Sequence, residues 1–292
     1  MIPAFINPLA GNADEARAAL NEVGGFEIED VQPAALAQHV RAAMDRGASR
    51  LVIAGGDGSI GSAANVIAGT NVELAILPCG TLNHLAKDLS VPLSLEDAAR
   101  VARSGCPTSV DAAIVNDRLF LNTSSVGAYV AFVRIRERLE RRLGYHIASL
   151  VAAGRLLFRL PTFRVTLRVE GEDVDRDYVT PLVFIGVGER ELRLPALGAR
   201  VPDGKRGLHV MVVRRRSGAR TLAAGLAAAA RGVKAVAQTP AMDAFLVKSC
   251  RIAPRSARLS IDGEVVSLTP PFEYRYVAAH LRIVVPRTPT SG

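Results

Sequence analysis

From the first residue to about residue 110, the chain alternates short apolar runs with segments whose apolar residues recur at helical spacing. Ile2 to Asn7 reads as a strand, Asp14 to Val23 as a helix, Phe26 to Val31 as a strand and Pro33 to Arg46 as a helix. Leu51 to Ala54 and Leu74 to Leu77 read as buried strands, separated by a helix from Ser59 to Ile67. Alternation of this kind predicts a parallel sheet with helices on both faces and ligands at the carboxyl ends of the strands. Three loops fall at such ends: Asn7-Pro8-Leu9-Ala10-Gly11, Gly55 to Ser59, and Pro78-Cys79-Gly80-Thr81-Leu82-Asn83.

Beyond residue 110 the pattern changes to strand alternation broken by Gly, Pro and Asp turns. Phe163 to Val169, Val179 to Val187, Leu208 to Val213, Ala257 to Ile261 and Leu281 to Val285 predict an antiparallel β domain. Helices are expected at the charged segment Val130 to Arg142, the apolar segment Ile147 to Leu157 and the alanine-rich segment Ala219 to Val236. The expected organisation is an α/β domain over 1–112, a mainly-β domain over 113–285 and a flexible tail over 286–292.

Composition narrows the partners. With 292 residues and 49% hydrophobic content, the chain can bury the cores of two domains. It has no uninterrupted apolar run of roughly 18 residues, and Met1-Ile2-Pro3-Ala4-Phe5 has no signal-peptide pattern, so a cytoplasmic protein without a transmembrane segment is expected. Cys79, Cys106 and Cys250 lie too far apart to suggest a disulfide framework or a zinc cluster. A net charge of +8 favours an anionic partner: a nucleotide, a nucleic acid or an acidic membrane surface. The 32 arginines against 4 lysines suit phosphate recognition, although arginine-rich codon usage gives the same ratio. Aromatic content of 5%, without tryptophan or aromatic–basic interleaving, argues against nucleic acid.

The segment Gly55-Gly56-Asp57-Gly58-Ser59 follows a strand and opens a helix, the form of a phosphate-binding turn. Its glycines would let the backbone take left-handed conformations and come within hydrogen-bonding distance of a phosphate, and Asp57 would handle metal or hydroxyl chemistry. A tight turn without a ligand is the competing reading. Asn83 and Lys87, four apart, share a helix face near the third loop; Lys87 also reads as a solvated surface lysine and His84 as a capping or surface histidine.

The three loops in this order, with Gly80-Thr81-Leu82-Asn83-His84-Leu85-Ala86-Lys87-Asp88-Leu89 completing the third, resemble the diacylglycerol kinase catalytic-domain family of lipid kinases. The match runs through Val110-Asp111 and Phe120-Leu121-Asn122 to Ile261-Asp262-Gly263-Glu264. The resemblance implies an N-terminal α/β domain similar to those of phosphofructokinase and NAD kinase, a second β-sandwich domain, and ATP in the cleft between, with Mg2+. It places Asn7, Pro8, Leu9, Ala10 and Gly11, then Gly55, Gly56, Asp57, Gly58, Ser59, Ile60 and Gly61, and finally Gly80, Thr81 and Asn83 around the nucleotide. Asp57 would organise metal and nucleotide, and Glu264 would be the general base. Asp262-Gly263 is equally a type I′ hairpin signal, and the two readings are compatible. A structural magnesium is implied at Asp203, with carbonyls of Arg200 and Lys205 as partners.

The sequence departs from the family pattern at three places. Ala10 stands where many members have serine, Ser59 where threonine is commoner, and Glu189 and Arg190 follow Gly186-Val187-Gly188 where related sequences often place asparagine. The helix carrying Arg134, Arg136, Arg138, Arg141 and Arg142 with Glu137 and Glu140 reads either as a holder of anionic headgroups or as a solvated helix laced with ion pairs. Leu222 to Ala230 is too short to span a bilayer and reads as core packing. The expected activity is transfer of the ATP γ-phosphoryl group to a diacylglycerol-like lipid, or to a sphingoid or phosphatidylglycerol-like one. It would take place at the inner face of the membrane, and a homodimer is left open. Two alternatives stand: a kinase of a soluble hydroxyl compound, and a non-catalytic, nucleotide-regulated lipid-binding protein.

Overall fold

A computed structural model describes residues 1–81, 83–158, 162–170, 175–192, 197–201, 204–213, 242–254 and 258–287. The chain divides into two units, Met1–Ala112 with Val277–Gly292, and Ala113–Tyr276. The alanine-rich helix expected at Ala219 to Val236 lies outside the described residues, as does most of the tail.

In the first unit, β1 (Ile2–Ile6), β2 (Phe26–Asp30), β3 (Arg50–Gly55) and β4 (Glu73–Pro78) form a parallel sheet in the order β2-β1-β3-β4. The last half of β18 (Phe272–Val285) extends it, with Arg282 and Ile283 parallel to Glu73 and Leu74. Leu281 to Val285, placed with the second domain by its alternation, thus pairs in the first unit.

The uniform apolarity of β3 and β4 follows from helices on both sides. Val52, Ala54, Ala75 and Leu77 pack with α1 (Ala13–Val23) and α5 (Leu95–Ser104) in one buried cluster. The alternate residues Leu51, Ile53, Leu74 and Ile76 are equally buried. They point to the opposite face by the period of two, toward α2 (Leu36–Asp45) and α3 (Asp57–Ile67), whose buried residues include Val40, Ala43, Ile60 and Ala64. β5 (Cys106–Val115) leads into the second unit; on it, buried Asp111 accepts the Ala279 N–H at 2.9 Å, where φ is +50°.

The second unit is a sandwich of two sheets. One has the order β14-β13-β10-β7-β16-β17 and is antiparallel: β7 (Thr123–Gly127), β10 (Leu182–Val187), β13 (Leu208–Val213), β14 (Met242–Val247), β16 (Arg258–Ile261) and β17 (Glu264–Ser267). The other contains β8 (Phe163–Val169), β9 (Arg176–Thr180), β15 (Ser249–Pro254) and the first half of β18, with β6 (Arg118–Phe120) paired to β5. Val126, Ile185, Val210 and Leu259 of the first sheet and Leu167, Ile252, Phe272 and Tyr274 of the second share one core.

One difference from the sequence pattern has a local cause. Val179 to Val187 is two strands, β9 and β10, because Pro181 has no N–H to give and the Leu182 N–H turns back to the Thr180 hydroxyl at 3.0 Å. The two helices expected at Val130 to Arg142 and Ile147 to Leu157 are both present, as the two halves of α6 (Ala128–Phe158), and they meet at Gly144, whose torsions (φ +72°, ψ 164°) are not helical. The cysteines are free, and burial with the nearby Glu15 carboxylate pushes the Cys79 thiol up to about 11; burial pushes Cys250 up to about 12.

Candidate functional site

β1, β3 and β4 are neighbours, so their carboxyl ends place the three glycine-bearing loops side by side. Side chains then latch the loops together. Asn7 donates from Nδ2 to Ser59 Oγ at 3.2 Å, joining the first loop to the second, and its Oδ1 accepts the Leu9 N–H at 3.0 Å. Asp57 joins the second loop to the third: its Oδ2 accepts the His84 N–H at 3.2 Å and its Oδ1 the Leu85 N–H at 3.4 Å, at the start of α4 (His84–Asp88). Asn83, left-handed at φ +49°, closes the third loop, with Oδ1 accepting from the Gly80 N–H and Nδ2 donating to the Gly80 carbonyl.

The glycines serve contact rather than unusual torsion. Gly55, Gly56 and Gly80 are absent from the left-handed region, contrary to the expectation for such a turn. A Cβ on Gly55 would lie 2.7 Å from Ser59 Cβ, and one on Gly80 would lie 2.6 Å from Gly56 Cα. The second and third loops therefore touch backbone to backbone, which only glycine permits.

The first intrahelical bond of α3 runs from Ile60 N–H to the Gly56 carbonyl at 3.1 Å, so the N–H groups of Asp57, Gly58 and Ser59 precede the helical ladder. Such N–H groups, together with the positive end of the helix, suit an anion. Gly11, Gly58 and Thr81 are exposed, as is Leu9, whereas the Ile60 side chain is buried in the core and leaves only its backbone for a ligand. Asn83 is buried, with its amide engaged inside its own loop; His84 and Lys87 are exposed. Among the described residues no three His, Cys, Asp or Glu side chains form a metal cluster. One carboxylate, at Asp57, suits a magnesium that arrives with nucleotide phosphates and keeps most of its other ligands.

The second unit presents Glu264 on a hairpin. Ile261 pairs with Glu264 across the turn, and Asp262 (φ +45°) and Gly263 (φ +92°) both take positive φ, as a type I′ turn requires. Asp262 anchors the tip: its carboxylate accepts the N–H groups of Leu121, Asn122 and Thr123, each at 2.9 Å. The Phe120-Leu121-Asn122 segment is thus the seat of the Asp262-Gly263-Glu264 turn, and the Glu264 side chain stands exposed.

Behind that seat, Arg190 is 3% exposed; it donates from NH1 to Asn122 Oδ1 and from Nε to the Val187 carbonyl. Its backbone N–H meets His209 Nδ1 at 3.0 Å. Burial lowers the His209 pKa below its ordinary 6.5, against the opposing Glu189 carboxylate. Because the folded ring resists protonation, the unfolded chain takes the proton first below pH ~6.5, and stability falls as pH drops toward the folded pKa. The unfolding midpoint is accordingly expected to decline on acidification through this window more steeply in the wild type than in His209→Gln, as thermal melts across pH will show.

Asp203, the side-chain ligand of the implied magnesium, lies outside the described residues. Its two expected companions are placed. Arg200 pairs with Arg190 across β11 (Arg190–Leu192) and β12 (Leu197–Arg200), and Lys205 exchanges backbone and side-chain bonds with Glu189: Glu189 N–H to the Lys205 carbonyl at 3.1 Å, Lys205 N–H to Glu189 Oε2 at 3.0 Å. Glu189, which the sequence marked only as a departure from the family pattern, fastens this segment.

Residues 2–115 match the family described as diacylglycerol kinase catalytic domain. Among curated relatives, a probable YegS-like lipid kinase of Cronobacter sakazakii is 35% identical over 114 residues, 37% of this chain and 38% of that protein. A diacylglycerol kinase of Mycobacterium tuberculosis is 27% identical over 183 residues, 57% of this chain and 59% of that protein. The chain thus spans about half the length of the curated relatives it matches. A solved structure of a diacylglycerol kinase from Bacillus anthracis superposes with a TM-score of 0.68 over 100% of this chain and 98% of that one, at 18% identity, which shows a common fold. No helix among the described residues is long and apolar enough to cross a membrane.

Proposed function

We propose that this chain, whose residues 2–115 match the diacylglycerol kinase catalytic domain, is an ATP- and magnesium-dependent lipid kinase that phosphorylates a hydroxyl of a diacylglycerol-like lipid at an anionic membrane surface. The observation that carries the reading is the latched cluster of three glycine-bearing loops at adjacent strand ends, made rigid by Asn7, Asp57 and Asn83. The N–H groups that precede the α3 ladder and the Thr81 hydroxyl hold phosphate oxygens. Asp57 orients the nucleotide-borne magnesium through whatever acceptor capacity its two amide bonds leave, since a carboxylate offers about four lone-pair sites. When bound, magnesium neutralises charge on the phosphates. Glu264 accepts the proton of the lipid hydroxyl as its oxygen bonds to the γ-phosphorus and the bond to ADP breaks. Its hairpin, fixed by Asp262, gives the carboxylate a defined position while leaving it exposed to a substrate.

The test is ADP release from ATP and magnesium in the presence of diacylglycerol in mixed micelles, compared with NAD and simple soluble alcohols as acceptors. Turnover dependent on the lipid supports the reading. Turnover with a soluble acceptor alone overturns the lipid assignment, and nucleotide binding without turnover on any acceptor overturns the kinase assignment.

The loop contact gives a second expectation. Gly80→Ala drives a Cβ against the Gly56 backbone and should weaken nucleotide binding about tenfold or more, with a stability loss of ~1–3 kcal/mol from overpacking. Calorimetric titration with a non-hydrolysable ATP analogue measures it; an unchanged affinity would mean that loop contact does not shape the phosphate site.

A further inference from the structure

The second half of α6 has a surface that the sandwich leaves uncovered. Ala148 and Ala152, four apart, are fully buried, while Ile147 and Leu150, three apart on the other side, are 57% and 74% exposed. Leu143, just before the break at Gly144, is 40% exposed. A Cβ added at Gly154 or at Gly144 would meet nothing within 4 Å. From Ile147 to Gly154 the chain carries no charge, and arginines stand at either end, Arg142 and Arg155.

The first half of α6 supplies charge. Arg134, Arg138 and Arg142 are exposed at spacings of four, along one helical face. The acids of this helix lie with another residue: Arg136, mostly buried, has Glu140 at 3.6 Å and Glu137 at 3.9 Å. Exposed arginines on the half of α6 before Gly144 and an exposed, charge-free apolar strip on the half after it supply the two features that an anionic bilayer surface takes, acyl chains receiving apolar side chains and headgroups the guanidinium groups. A protein partner would need an apolar groove with acids along one side, whereas a bilayer offers both features without shape complementarity.

We infer that α6 is the membrane-docking surface of this chain, with Leu143, Ile147 and Leu150 entering the headgroup–acyl boundary and Arg134, Arg138 and Arg142 contacting anionic headgroups. This deepens the lipid-kinase reading and rests on it for its purpose. α6 also packs on β16 and β17, the hairpin that bears Glu264, so docking would bring the base to the interface where an acceptor hydroxyl lies.

Docking is read without catalysis, by co-sedimentation of the full chain with phosphatidylcholine vesicles with and without phosphatidylglycerol and no nucleotide. Wild type should bind only the anionic vesicles. Ile147→Ser with Leu150→Ser should lower the partition coefficient roughly 100-fold, about tenfold for each partly buried side chain. Arg138→Glu with Arg142→Glu should lower it by a similar factor and remove the salt sensitivity. All four side chains are exposed, so the variants should keep the wild-type circular dichroism and its turnover of a short-chain, monomerically dispersed diacylglycerol. Loss of vesicle binding with that turnover kept establishes the docking surface. Undiminished vesicle binding by the Ile147/Leu150 variant, or wild type that ignores anionic vesicles, overturns it. Wild type that docks yet phosphorylates no lipid would leave α6 as a docking surface and refute the kinase reading instead.

Discussion

Glu264→Gln is expected to lower kcat for the lipid acceptor about 10²- to 10⁴-fold, the usual contribution of a positioned general base. Glutamine keeps the size of the side chain and loses its capacity to take a proton. Because Glu264 is exposed at a hairpin tip, the substitution should leave the unfolding midpoint and ATP binding close to wild type. Rapid-quench measurement of the transfer step at saturating ATP separates loss of chemistry from slow product release. A variant that retains wild-type kcat would remove Glu264 from the mechanism.

Asp262→Ala carries the second large effect, on stability and activity together. It deprives three N–H groups, those of Leu121, Asn122 and Thr123, of one charged acceptor. Bonds to charged groups contribute ~1.5–3 kcal/mol each but do not add fully at a partly exposed site, so a loss of about 2–4 kcal/mol is expected. That corresponds to a melting point lower by roughly 6–12 °C. The freed turn should also misplace Glu264 and lower kcat more than it raises KM for ATP. Asp262→Asn should fall between: its oxygen can still serve Asn122 and Thr123, while its amide would oppose the Leu121 N–H with a second donor. Melting curves with steady-state kinetics check both, and an Asp262→Ala protein of wild-type stability would show that the turn is held by other contacts.

The alternation of apolar runs in the first 110 residues was legible because it records burial directly. Strands covered on both faces are apolar along their buried length, Leu51 to Ala54 and Leu74 to Leu77, and the three loops must then fall at carboxyl ends. The type I′ turn was legible for the same local reason, since Asp-Gly tolerates two positive torsions. What joins the loops was not legible. Asp57 bonds N–H groups 27 and 28 residues away, and Asp262 bonds N–H groups up to 141 residues away, so nothing in local spacing marks either latch. The glycine pattern itself predicted left-handed torsions and instead records the close approach of Gly56 and Gly80, which depends on strands set side by side. Glu189 and Arg190 stood out only as departures from a family pattern; their bonds to Lys205 and Asn122 exist only once the second unit is folded.

The most direct measurement is the fate of the terminal phosphate. With γ-labelled ATP, magnesium and diacylglycerol in anionic mixed micelles, the label should appear in the organic extract as phosphatidic acid for the wild type and be reduced at least ~100-fold for Glu264→Gln. Label confined to the aqueous phase, as inorganic phosphate or a soluble phosphate ester, would contradict the assignment of this chain as a lipid kinase.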